Sequence, residues 1–419
     1  MKKNHGCFFW AIAAFSILSI TALPGKSLAQ EFGDELFDYL HFHPDYLGTG
    51  IKAGSFMLHP QMSLDEAYNN NIYATRGGKI SDAITDARPS IVAESDWENH
   101  ALRFSADGDA GRYASHTKED YNDYDVKADG RLDITRGNYL WGGLNYLKQH
   151  EARGTPDDLN NGVKPVVYDE ALGRVGFTHD VGRLSTTVGT EVRKFEYNNG
   201  YTSGGTVIEQ DARNRMEYGA GLRFDYELIP GYKAFVKGNG NIIDYETPAL
   251  LGNRNSHGFS ADVGTAVEVT GKVRGEVYLG YLAQEYDNST FKTIDGIDAG
   301  GKLIWSVTGL TTVEGGMLRS VNETIFPGAY GYIDTAAFAN IQHDLTRDIR
   351  LNARADYHSY KYEGISRTDN VPTLSAGARY LLNKNIEARA DYTYQERDSD
   401  APNSNYQQNL AKVSLSLGL

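Results

Sequence analysis

The sequence predicts an all-β fold: a transmembrane, antiparallel, up-and-down β-barrel of about 18 strands. Three observations lead there. Segments of roughly ten to fourteen residues alternate apolar and polar positions, the length a tilted strand needs to cross a bilayer. The connections between them are alternately short and long. The composition, with 45 Gly and 28 Tyr against 11 Pro and 5 Met, is unlike a bundle of membrane helices and suits a wet-centred barrel with aromatic belts.

At the start of the chain, Lys2 and Lys3 precede an apolar run from Cys7 to Leu23 and then Ser27-Leu28-Ala29. This reads as a secretory signal peptide over residues 1–29, its core being shorter than the ~20 residues of a spanning helix. The one cysteine, Cys7, lies within the leader and follows Asn4-His5-Gly6, which does not fit a lipid-attachment site. The mature part then has no thiol for a disulfide or a thiolate metal site, in keeping with export through an oxidising periplasm. The leader carries three Lys and no acid, so the net charge of −14 becomes about −17 on its removal. Such acidity excludes nucleic acid as an expected partner. Residues 30–55 fit no strand, are rich in Glu31, Asp34, Glu35, Asp38 and Asp45, and read as a periplasmic lead-in; the barrel is expected over 56–419.

Within the barrel, Tyr124, Val126, Ala128, Gly130, Leu132 and Ile134 interleave with Asp125, Lys127, Asp129, Arg131 and Asp133. The period is two, so one face is apolar and the other charged. The same holds for 215–226, 349–358 and 386–395. Turn chemistry such as Arg136-Gly137-Asn138, Ile229-Pro230-Gly231 and Asn383-Lys384-Asn385 marks eight short connections, and nine longer polar stretches lie between them. Nine hairpins give about 18 strands with both ends on the short-turn, periplasmic side. Tyr68, Tyr113, Tyr124, Tyr146, Tyr168, Tyr197, Tyr245, Tyr286, Tyr330 and Tyr406 stand where segments meet long loops, and Trp97, Trp141, Tyr232 and Trp305 by short turns. Two lipid-facing aromatic girdles are expected from that placement. The last segment alternates to the final residue, Leu419.

The inward faces carry the candidate functional residues. Pore-lining positions are expected at Lys127, Arg131, Arg215, Arg223, Arg350, Arg354, Arg379 and Arg389, opposed by Asp125, Asp129, Glu217, Asp225, Asp356 and Asp391. Neither sign dominates. A barrel of this size leaves an aqueous channel unless loops fold into it, and rings of charge would set its ion preference. A slip of one residue would exchange the two faces of a strand. No cofactor or metal is expected: the closest histidines, His41 and His43, lack a ligand spacing, and Gly219-Ala220-Gly221 sits inside a strand pattern. His358 and Asp356 share a face, which alone does not make a catalytic group.

His43-Pro44-Asp45-Tyr46, Gly54-Ser55-Phe56 with Pro60, and Tyr68-Asn69-Asn70-Asn71-Ile72-Tyr73 resemble the opening of a family of outer-membrane β-barrel porins of Gram-negative bacteria. Ser95-Asp96-Trp97-Glu98-Asn99-His100 and Asp107–Tyr113 resemble that family's second hairpin. The resemblance implies a channel for hydrophilic solutes, with no catalytic residues to carry over. Because some members are linked to exopolysaccharide export, it also suggests polysaccharide-export components as partners, beside outer-membrane lipid, lipopolysaccharide and the barrel assembly machinery. The other readings are a non-conducting barrel acting as a surface adhesin or structural partner and, less favoured, a barrel enzyme. Whether the long loops fold inward separates channel from adhesin.

Overall fold

The computed structural model describes residues 46–158, 162–247, 252–269 and 271–419. The expected signal peptide and most of the lead-in lie outside them. Eighteen long strands run through the described residues. They are β1 (Phe56–Asn69), β2 (Asp82–Ser95), β3 (Ala101–Tyr113), β4 (Tyr121–Thr135), β5 (Asn138–His150) and β6 (Val167–Val181). Next come β7 (Leu184–Tyr197), β8 (Arg215–Ile229), β9 (Tyr232–Tyr245), β10 (Ser256–Val269), β11 (Val273–Tyr286) and β12 (Ile294–Ser306). The circuit ends with β13 (Thr311–Asn322), β14 (Gly331–Asp344), β15 (Ile349–Glu363), β16 (Thr368–Asn383), β17 (Ile386–Ser399) and β18 (Tyr406–Gly418).

Each strand pairs antiparallel with the next, and β1 pairs with β18 from Gln61↔Gly418 to Asn69↔Leu410, so the sheet closes on itself. Closure is the physical answer to a bilayer that offers no hydrogen bonds to a sheet edge. The closed, 18-stranded antiparallel barrel is the fold the sequence predicts. Outward positions expose apolar side chains, among them Val126, Leu144, Val263, Leu279, Ile297 and Val413, while the residues between them turn inward. The four alternating segments singled out in the sequence lie within β4, β8, β15 and β17.

The lead-in is not strand-free. Ile51–Ala53 pairs with Leu58–Phe56 of β1 around the Gly54-Ser55 turn, beyond the point where β18 stops. Gly48 donates its N–H to the Lys384 carbonyl at 2.7 Å and Gly50 to that of Leu419 at 2.9 Å. Gly48 has φ +88°, and a Cβ there would fall 2.5 Å from the Leu419 carbonyl carbon. Glycine is thus required for the lead-in to seat the C-terminal residue.

The aromatic girdles need correction. Tyr68, Tyr124 and Tyr146 face lipid, as do Tyr232 and Trp305, but Tyr245, Tyr286, Tyr330 and Tyr406 are buried on the inside, and so is Trp141. Standing at a strand end does not choose a face; parity along the strand does. Tyr286 and Tyr330 join one small core at the long-loop end, and Tyr332, Tyr360 and Tyr362 build a second.

Candidate functional site: the lumen and its mouth

Half of the lumen is open and half is filled. A cavity of about 740 Å³ follows nine consecutive strands, β15 to β18 and then β1 to β5, across the closure seam. Seven of the fourteen expected residues line it: Asp125, Lys127, Arg354, Asp356, Arg379, Arg389 and Asp391. Arg131, Asp129 and Arg350 also have inward registers but are not among its lining residues. Arg215, Glu217, Arg223 and Asp225 belong to the opposite, packed arc. There cations lie on aromatic faces: Arg215 over Phe195 at 4.0 Å, Arg223 over Phe235 at 3.9 Å and Lys237 over Tyr278 at 3.4 Å.

The charges are neutralised along the strands themselves. Lys127 reaches Asp125 at 2.8 Å, Arg131 reaches Asp133 at 2.7 Å, and Arg215 reaches Glu217 at 2.7 Å. Arg223 meets Asp225, Arg354 meets Asp356 and Arg389 meets Asp391 in the same way, at 2.8, 2.6 and 2.8 Å. Residues two apart on a strand share a face, so basic-x-acidic or its reverse closes an ion pair locally. Cross-strand partners complete the set: Asp129 with Arg174, Arg350 with Asp344, and Arg379 with Glu387. His358 pairs with Asp334 at 3.1 Å. Between the pairs the cavity wall is hydroxyl and amide, from Ser63, Ser105, Thr373, Gln395, Gln408 and Ser414.

Sequence reading missed a knot of charges around Arg88. Arg88 lies 2.9 Å from Asp65, 3.1 Å from Asp109 and 3.6 Å from Asp86, with Lys412 a further 3.7 Å from Asp65. This knot links β18, β1, β2 and β3 inside the closure seam. Its signal was the shared parity of Asp82, Asp86 and Arg88, obscured by Pro89 and Pro60 within the segments.

Among the described residues, the long connection after β5 folds inward. Residues 151–158, which follow β5, form a strap across the extracellular mouth. At its base, Arg153 makes a bidentate pair with Glu119 at 2.9 and 2.8 Å, and Arg213 pairs with Glu151. Tyr406 donates to the Gly154 carbonyl at 3.4 Å, and Tyr362 to that of Pro156 at 3.3 Å. At the tip, Asp157 accepts from the Thr324 hydroxyl at 2.6 Å and the Ile325 N–H at 3.2 Å. The strap therefore reaches from β5 to β15, β18 and the loop before β14. Burial pushes the carboxyls of Glu151 and Asp158 above the usual range despite their arginine partners.

Residues 43–418 match the family described as "Putative beta-barrel porin 2". The chain belongs to this β-barrel porin family. It is an outer-membrane porin-like channel, and family membership speaks for a channel rather than an enzyme. The porin is also similar to solved structures of Pseudomonas aeruginosa. The outer-membrane protein OpdK is 12% identical, with 86% of this chain and 99% of that one covered and a TM-score of 0.44. OccK3 (OpdO) is 13% identical over 86% and 96%, at a TM-score of 0.45. A ferric enterobactin receptor mutant is 8% identical over 88% and 82%, at 0.46. No curated protein matches the porin.

Proposed function

We propose that the porin passes small hydrophilic solutes through the eccentric cavity, with weak preference for the sign of their charge and without catalysis. The observation that carries this reading is the local neutralisation of the cavity wall, where Arg354, Arg389 and Lys127 each hold a carboxylate two residues away. Paired charges in a pore leave little net field, whereas unpaired rings would select. Hydroxyl and amide groups between the pairs suit uncharged or zwitterionic solutes, which would exchange hydration for these contacts. Lys127, Arg354, Arg379, Arg389, Asp125, Asp356 and Asp391 then line the path that the solutes take, and lipopolysaccharide and the barrel assembly machinery are the barrel's partners in the membrane. Export of a polysaccharide strand would need the strap to leave the mouth, and the strap's several anchors favour small solutes instead.

Reversal potentials across a salt gradient test the reading. The wild type is expected to show permeabilities for cation and anion within about twofold of each other. Arg354→Glu with Arg389→Glu uncovers Asp356 and Asp391 and is expected to turn the channel cation-selective. Selectivity unchanged by both substitutions would contradict it.

A further inference from the structure

We infer that an acid-strengthened latch centred on Glu323 holds the strap down, so that the extracellular mouth narrows as pH falls and widens as it rises. The inference rests on the channel reading and on the strap lying across that channel.

Glu323 immediately precedes the two residues that hook the strap, Thr324 and Ile325. Its carboxylate accepts from the Tyr245 hydroxyl at 2.6 Å. A cavity of about 70 Å³ lies beside it, bounded on one side by Glu151, Thr155, Pro156 and Asp157 of the strap and on the other by Glu323 and Arg254. Arg254 and Asn322, both more than nine-tenths buried, present Nε and Oδ1 to this region without a hydrogen-bond partner among the described residues. The strap thus roofs a polar space that would fill with water if it lifted.

Every charged group facing Glu323 bears on the sign. Arg215 and Glu217 come from β8, Arg254 from the segment before β10, and Arg213 from the segment before β8 lines the same cavity, as do Glu151 and Asp157 of the strap. The arginines favour the carboxylate, and so does the Tyr245 hydroxyl, but burial outweighs them and pushes Glu323 up to about 7. Glu151 and Asp158 move the same way for the same reason. A lifted strap returns all three towards ordinary values, near 4.5 for Glu323. The docked state therefore binds protons more tightly. Its advantage is full below about pH 4.5 and is lost as pH rises through 7, by up to about two orders of magnitude in the docking equilibrium for Glu323 alone.

The test is channel conductance in planar bilayers from pH 4.5 to 8, on protein shown to be folded by its heat-modifiable gel mobility. The wild type is expected to conduct several-fold more at pH 8 than at pH 5. Glu323→Gln keeps an acceptor for Tyr245 but cannot ionise, so it is expected to lose most of that rise and stay narrow. Asp157→Ala removes the hook and is expected to conduct fully at every pH. Superimposable pH curves for wild type and Glu323→Gln, or a flat wild-type curve beside a conducting Asp157→Ala, would overturn the latch. Silence of Asp157→Ala at every pH would overturn the channel reading and the latch with it.

Discussion

Asp369 shows how much a single inward residue can hold. It is fully buried, takes two hydrogen bonds from Arg367, the nearer at 2.5 Å, accepts from the Ser399 hydroxyl, and lies 3.5 Å from Arg397. Removing the charge leaves two enclosed guanidiniums without their shared anion, which costs far more than an exposed pair would. Asp369→Asn is therefore expected to lower stability by about 3 kcal/mol, read as a lower urea midpoint for the detergent-refolded barrel. Gly176 makes the converse point. A Cβ there would fall 2.1 Å from the Trp141 ring, so the indole lies flat over a strand that must lack a side chain. Gly176→Val is expected to displace Trp141 and cost about 1–3 kcal/mol, seen as the same midpoint shift with loss of indole fluorescence anisotropy.

Among elements, the strap was the least legible in sequence. Its partners Glu119, Arg213, Thr324, Tyr362 and Tyr406 come from five other parts of the chain, and periodicity says nothing about which loop crosses a lumen. The strands were legible because a period of two fixes both their direction and their faces: Asp125, Lys127, Asp129 and Arg131 share a face in sequence and in space. The girdles were misread for a related reason, since Tyr245, Tyr286 and Tyr406 sit at strand ends but on inward parity. Freeing the base of the strap tests its role as an obstruction. Arg153→Ala leaves Glu119 buried without its cation and is expected to raise single-channel conductance while the folded, heat-modifiable barrel persists.

For the whole molecule, strand number and closure could be read from eight short turns and nine long connections, because a barrel must return to its first strand. The off-centre channel could not. Phe195, Phe235 and Tyr278 share inward parity with the charged residues, and only their convergence across β7 to β11 fills that half, leaving the path to β15 through β5. The path is the central claim. Because the sequence holds a single cysteine, Cys7 in the expected leader, a thiol placed in the barrel is a unique probe. Ser414 lines the cavity on β18, and its neighbour Val413 faces lipid. The most direct measurement is single-channel current through Ser414→Cys during addition of a charged methanethiosulfonate, with Val413→Cys alongside. The account predicts a stepwise fall in current for Ser414→Cys alone. An unchanged current through labelled Ser414→Cys, or an equal fall in both, would contradict it.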